Sequence, residues 1–264
     1  RYEELRDRKG PETDAQVELS SISTRLGRTT VELHHITKRY GERTLIRDFS
    51  YIFLKNDRVG IIGPNGCGKT TLMKILTGVI KPDEGEVVTG QTVRLGYYAQ
   101  EISDSPADGA AGRLDYMDPD KRVIDYIRDT AEYVRTADGL VSASAMLERL
   151  LFTPEKQYGL IGKLSGGERR RLNLLRVLME APNVLVFDEP TNDLDTVTLA
   201  ILEDYLDAYE GIVIAVSHDR YFLDRTMKRI FAFEGDGTLR QYEGGYTDYA
   251  LRREEERQAR EEAD

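Results

Sequence analysis

Cysteine occurs once in the 264 residues, as Cys67. No internal disulfide can form, and a reducing compartment, the cytoplasm, is the expected setting. Long apolar runs are missing too. A membrane span needs about eighteen consecutive apolar residues, nothing here approaches that, and a membrane role is not expected. Histidine is scarce, at three residues; His34 and His35 sit in an alternating segment without another ligand at metal-binding spacing and read as ordinary strand residues. Positive charge is in deficit. A formal net charge of −10 opposes sequence-independent binding to nucleic acid, which needs a basic face, and argues against DNA as a partner. The densest basic cluster, Arg169-Arg170-Arg171, falls in a helical pattern and reads as a solvated or intramolecular face. The chain opens on Arg1-Tyr2-Glu3-Glu4, without Met and without a charged-then-apolar leader, which reads as the edge of a longer chain.

What remains is a composition of 40% hydrophobic and 32% charged residues, that of one large soluble α/β domain. Residues 1–28 are polar, broken by Gly10-Pro11, and read as a linker remnant. From Val31 the alternation Val31-Glu32-Leu33-His34-His35-Ile36 predicts a half-buried strand. Two strands are expected within 50–62, a helix over Thr70–Leu76, and two short β runs between Lys81 and Tyr98. A loop is expected over 103–120, then helical patterns near 121–136 and 142–152, the second capped by Ser142 or Ser144. After Ser165 a helix runs to about Glu180. The apolar strand Val184-Leu185-Val186-Phe187, a helix near 196–209 and the strand Ile212–Val216 follow, with short strands near 229–233 and 238–242. Strands separated by helices predict a mostly parallel sheet covered on both faces.

Gly63-Pro64-Asn65-Gly66-Cys67-Gly68-Lys69-Thr70 fits the pattern G-x-x-x-x-G-K-[ST], between an apolar strand and a helix. Glycines allow a tight backbone whose N–H groups point inward at phosphate oxygens, and the helix N-terminus adds partial positive charge. Lys69 is then expected on the β- and γ-phosphates of ATP, with the Thr70 hydroxyl on Mg²⁺ and Thr71 next along the binding loop. By chance such a string arises in roughly one chain in a hundred of this size. Cys67 reads as a small filler residue within the loop. If its thiol is reachable, alkylation should block nucleotide and ATP should protect.

Val184–Phe187 ends in Asp188-Glu189. In a parallel sheet, ligands sit beyond the carboxyl ends of the strands, which puts this pair near the phosphate loop. Asp188 suits the outer shell of Mg²⁺, through water. Glu189, pointing differently, suits orienting or deprotonating an attacking water. His218 emerges after a second buried strand, where it can donate to a γ-phosphate. Gln100, beyond the strand-like Val93–Tyr98, is a candidate for Mg²⁺ or the water. For His218 and Gln100, spacing alone does not carry the assignment.

Leu164-Ser165-Gly166-Gly167-Glu168 resembles the signature of ABC ATPases. With the phosphate loop, Gln100, Asp188-Glu189 and His218 in that family's order, the resemblance covers about residues 29–245. Pro190-Thr191-Asn192-Asp193-Leu194-Asp195 and Ser217-His218-Asp219-Arg220-Tyr221-Phe222-Leu223-Asp224 are similar to strings of the ABC-F class, where transporter subunits more often carry Ser-Ala-Leu-Asp. Phe233-Glu234-Gly235-Asp236-Gly237 and Gly244-Gly245-Tyr246 resemble the second ATPase domain of Uup-type members.

The resemblance implies a P-loop NTPase of ABC type: a mostly parallel sheet flanked by helices, an antiparallel β subdomain, and a small helical subdomain inserted at about 101–180. Residues 29–245 would be the ATPase domain and 246–264 the start of a C-terminal helical extension. It also implies Mg-dependent ATP hydrolysis in head-to-tail pairs, with the other ATPase domain of the same chain or a second copy. Ser165, Gly166, Gly167 and Glu168 would face a partner's nucleotide, Asp195 would couple the sites, and Tyr40 would stack on adenine. Such proteins act mainly on ribosomes. The alternatives are the ATPase subunit of a membrane transporter and a slow, nucleotide-gated interaction module.

Overall fold

A computed structural model describes residues 25–99, 117–136 and 139–263. In chain order it contains β1 (Val31–Tyr40), β2 (Arg43–Ile52), β3 (Arg58–Ile62), α1 (Lys69–Leu76), β4 (Glu84–Thr89) and β5 (Leu95–Tyr98). An inserted segment follows with α2 (Val123–Thr130), β6 (Tyr133–Thr136), β7 (Gly139–Ser142), α3 (Ala143–Arg149) and α4 (Pro154–Gln157). The chain then returns through α5 (Gly166–Met179), β8 (Val184–Asp188), α6 (Pro190–Asp193), α7 (Thr196–Ala208), β9 (Ile212–Val216) and α8 (Arg220–Thr226). It closes with β10 (Arg229–Phe233), β11 (Leu239–Glu243) and α9 (Tyr246–Ala263).

The central sheet has six strands in the order β11-β10-β3-β9-β8-β5, parallel throughout except for the β10–β11 pair. Its apolar strands have no polar side because both faces are buried. With a two-residue period, Val184 and Val186 enter one core while Leu185 and Phe187 enter the other; Ile212, Ile214 and Val216 divide from Val213 and Ala215 in the same way. One core is closed by helices, through Leu174 and Leu178 of α5, Leu202 and Tyr205 of α7, and Phe222 and Leu223 of α8. The other is closed by Leu72, Met73 and Leu76 of α1 together with the antiparallel sheet β2-β1-β4, which contributes Leu33, Ile36, Ile46 and Phe49. Helices therefore cover one face, and a helix plus a second sheet cover the other. Each fully buried Leu or Phe in these cores contributes about 1.5–3 kcal/mol.

Gly60 in β3 lets the helical face approach closely: a Cβ there would lie 2.9 Å from Leu223 and 3.2 Å from Met227. Leu26, within the polar segment read as a linker remnant, is buried in the second core. Tyr246 and Tyr249 of α9 pack against the first.

The helical pattern expected over 121–136 is corrected by the structure: α2 ends at Thr130, Ala131 is extended (φ −162°), and Tyr133–Thr136 pairs antiparallel with Gly139–Ser142. Val134 and Thr136 point inward at alternate positions. Two β-branched side chains at that spacing suit a pleated strand better than a helix face. Ser142 is the cap used for α3, accepting from Ala145 N–H at 3.2 Å, whereas Ser144 bonds the buried Gln157. Most of the loop expected over 103–120 lies outside the described residues.

Candidate nucleotide site

Register decides which strand ends meet. Ile61 of β3 and Asp188 of β8 both pair with Val216 of β9, so the three carboxyl ends finish at one level. Gly63, Glu189 and Ser217-His218 leave the sheet side by side. A cavity of about 640 Å³ opens there, lined by Asn65, Gly66, Gly68, Lys69, Thr70, Thr71, Asp188, Glu189, Asn192 and His218, with Leu45 and Val216.

The phosphate-loop residues adopt a conformation reserved for glycine where it matters. Gly66 has φ 73° and Gly68, the N-cap of α1, has φ 123°. A Cβ on Gly68 would also lie 3.1 Å from the Leu45 carbonyl oxygen. The loop thus curls onto the start of α1, whose first turn of N–H groups has no intrahelical partner. The ammonium of Lys69, on a buried residue, donates to the carbonyls of Gly63 (2.8 Å) and Pro64 (3.1 Å). It is thereby held over the concave loop, with a third proton for an anion. Cys67 is half-buried, its thiol packed where a Cβ on Gly63 would fall, and burial raises its pKa despite nearby Lys69.

Asp188 ends β8 at 1% exposure. Its Oδ2 is 3.5 Å from the Tyr97 hydroxyl, and its Oδ1 is buried without a hydrogen-bond partner among the described residues. Burial raises its pKa, and the hydroxyls of Thr70 and Tyr97 with the charges of Lys69 and Lys74 oppose the rise. A buried carboxylate oxygen beside a hydroxyl and facing a cavity is the donor set of a hard, hydrated cation, so the residues present fit Mg²⁺.

Glu189 is in the left-handed region (φ 52°, ψ 52°), a conformation that costs a non-glycine residue about 1–2 kcal/mol. Its carboxylate meets His218 where that of Asp188 meets Tyr97, and its N–H is held by the Val216 carbonyl at 2.9 Å. His218 embraces the carboxylate: Nε2 lies 3.1 Å from Oε1, and the backbone N–H donates to Oε2 at 3.3 Å. Burial raises the Glu189 pKa, opposed by His218 and Lys69, while Asp188 adds to the rise. His218 is fixed in turn by its neighbours. Ser217 Oγ accepts from Asp219 N–H (3.0 Å) and lies 3.1 Å from Thr191 Oγ1, and Asp219 caps α8 through Tyr221 and Phe222.

The remaining predicted residues do not line this cavity. Ser165, exposed, caps α5 in a reciprocal box with Glu168: Ser165 Oγ accepts from Glu168 N–H (3.2 Å) and Ser165 N–H donates to Glu168 (2.9 Å). Its hydroxyl proton stays available. Glu168 also pairs with Lys156, and its pKa is lowered by that contact and by the Ser165 N–H. Gly166 and Gly167 face open space. Asp195 caps α7, accepting from Thr198 N–H (2.8 Å) and hydroxyl (3.0 Å), which lowers its pKa. Tyr40 stands 53% exposed at the end of β1, with the Lys38 ammonium 5.4 Å from its ring. Gln100 lies outside the described residues. Sequence reasoning missed Leu45 and Tyr97, which carry no motif signal, and did not assign Asn192 a place in the site although it stands in a quoted string.

An anion-gripping loop, a split acid pair and a tethered imidazole on one edge of a parallel sheet define a P-loop nucleoside triphosphatase. The family description "ABC transporter" matches residues 46–192. This chain belongs to that family and is one of its ATPase domains. It is 48% identical to the ABC transporter ATP-binding protein YfmR of Bacillus subtilis, over 94% of this chain and 38% of that protein. It is 37% identical to the ATP-binding protein Uup of Haemophilus influenzae over 93% and 36%, and 41% identical to the energy-dependent translational throttle protein EttA of Mycobacterium tuberculosis over 89% and 40%. Relatives named Uup and EttA agree with the ABC-F resemblance of the motif strings. The chain spans well under half the length of these three relatives. A dimeric ATP-binding cassette solved in a post-hydrolysis state with ADP and phosphate has the same fold, with a TM-score of 0.61 at 21% identity over 81% of this chain and 98% of that one. Among the described residues, no helix is long and apolar enough to cross a membrane.

Proposed function

We propose that this chain is the second ATPase domain of an ABC-F protein, hydrolysing ATP in a head-to-tail pair and using the cycle to engage ribosomes in the cytoplasm. The observation that carries the pairing is the separation of two half-sites. Lys69, Asp188, Glu189 and His218 share a cavity, while the exposed N-terminus of α5, with Ser165 and Gly167, faces outward elsewhere on the same chain. A helix N-terminus with a free hydroxyl proton suits a phosphate, and a second domain supplies one.

In this reading the N–H groups of the loop and of α1, with the Lys69 ammonium, hold the β- and γ-phosphates. Glu189 orients a water and takes its proton as the water oxygen bonds to the γ-phosphorus. The bond to the bridging oxygen breaks, and ADP and phosphate leave. Nε2–H of His218 is shared between Glu189 and a γ-phosphate oxygen. Thr70, and Asp188 through water, would hold Mg²⁺, whose charge would offset that of the phosphates. Tyr40 stacks on adenine and Asp195 links the paired sites. The ribosomal role draws on the throttle function in the name of EttA. The test is nucleotide-dependent sedimentation of the full-length protein with ribosomes: Glu189→Gln with ATP should co-sediment and Lys69→Ala should not. Equal behaviour of the two variants refutes it.

A further inference from the structure

Arg170 lies five residues after the cap of α5, and its Nε is 3.4 Å from Oδ1 of Asp193. The Asp193 side chain is only 10% exposed, and its Oδ2 is buried without a hydrogen-bond partner among the described residues. Burial raises the Asp193 pKa and the Arg170 charge opposes it. Asp193 belongs to one rigid turn with Glu189: Asn192 N–H donates to the Glu189 carbonyl, and Leu194 N–H to that of Pro190, each at 3.2 Å. Asn192 faces the nucleotide cavity while the adjacent Asp193 meets α5. Arg171 braces the same helix, its guanidinium 5.4 Å from the Phe152 ring, and its charge reaches Asp195. Arg170 of α5 thus holds the far end of the turn that follows Glu189, and the charge of Arg171 bears on Asp195 two residues further on.

A buried carboxylate with one compensating cation is sensitive to that cation's position, because losing the contact leaves an unpaired charge in a poorly solvated place. A shift of α5 by 1–2 Å, typical of helix movements in switching proteins, would break the pair. We propose that the Arg170–Asp193 ion pair positions Glu189 according to the stance of α5, so that a chain hydrolyses its own ATP fastest when its Ser165–Gly167 surface grips a partner's nucleotide. This rests on the paired-domain reading above. Arg170 and Asp193 are positioning residues; neither touches the reacting atoms.

The experiment uses the full-length protein with Asp193→Asn, Arg170→Met, the double variant and Arg170→Lys. Measured are kcat, KM for ATP, nucleotide Kd, the melting temperature and, in a Glu189→Gln background, ATP-dependent pairing of ATPase domains within one chain or between two. The single variants are expected to lower kcat about tenfold with KM and Kd within about twofold, a loss confined to the transition state. The double variant should be no slower than the slower single, as a pair acting as a unit requires, and Arg170→Lys should recover to within about threefold of the parent. Parental kcat in Asp193→Asn overturns the proposal, as does a loss of kcat that follows melting temperature and is not rescued by Arg170→Lys. If Glu189→Gln alone shows no ATP-dependent pairing of ATPase domains, read by sedimentation velocity as compaction of one chain or dimerisation of two, the pairing falls and this inference with it. If it pairs while Asp193→Asn turns over normally, pairing stands and only the coupling falls.

Discussion

Glu189→Gln should separate binding from hydrolysis, and the geometry around the carboxylate bounds what the substitution costs the fold. The substitution keeps every heavy-atom position and removes one charge from a side chain that is 7% exposed. A glutamine oxygen can still accept from the His218 backbone N–H, now at 3.3 Å, or from Nε2–H, now at 3.1 Å, so one of the two contacts has a neutral counterpart. Charge-assisted bonds lost here are worth about 1.5–3 kcal/mol. The burial that raises the Glu189 pKa penalises its charge, and that penalty is relieved at the same time, which opposes the loss. The net change in stability should be under about 1 kcal/mol, a melting shift within about 4 °C for a domain of this size. Hydrolysis has no such compensation, because an amide cannot take the proton of the attacking water. General-base removal costs about 10²–10⁴-fold, or about 3–5 kcal/mol of barrier. Calorimetry should give an ATP Kd within about threefold of the parent, phosphate release should be nearly abolished, and sedimentation velocity should show an ATP-dependent dimer. Phosphate release within tenfold of the parent, with unchanged Kd, would remove Glu189 from the role of base.

Other outcomes follow from the same geometry. Asp188 holds its proton more tightly folded than unfolded, so its contribution to stability declines as pH rises above the ordinary value of 3.8 and the cost is present at neutral pH. Asp188→Asn should therefore raise the nucleotide-free melting temperature by about 2–4 °C, for about 1 kcal/mol, while abolishing the Mg²⁺ dependence of ATP binding; a lower melting temperature counts against it. Because burial lifts Glu189 above 4.5, kcat should fall with acid along a limb centred above that value, and a limb at or below it contradicts the assignment. Gly68→Ala, with φ 123° and a Cβ 3.1 Å from the Leu45 oxygen, should cost about 1–3 kcal/mol and weaken ATP binding at least tenfold; normal affinity by calorimetry would show that the loop tolerates a side chain there.

Much of the site was legible because its signals are local. A glycine-rich loop between an apolar strand and a helix, and an acid pair closing another apolar strand, each state their chemistry within about ten residues. The 121–136 segment was misread because a run such as Tyr133-Val134-Arg135-Thr136 fits helix and strand alike until its partner is known. Tyr97 and Leu45 carry no motif and reach the site only through packing.

By itself the sequence determined the class of chemistry: backbone shape at Gly66 and Gly68, the cation at Lys69 and the carboxylates at Asp188 and Glu189 are consequences of residue type and short spacing. Only the tertiary structure decided which groups act together. Residues far apart in the chain meet because β3, β9 and β8 are in register, so Ile61, Val216 and Asp188 end level. It alone revealed the grip of His218 on Glu189 and the ion pair that joins α5 to the turn beyond it. Both are contacts across elements, and pairing across elements is set by how whole strands and helices pack, which no local pattern encodes.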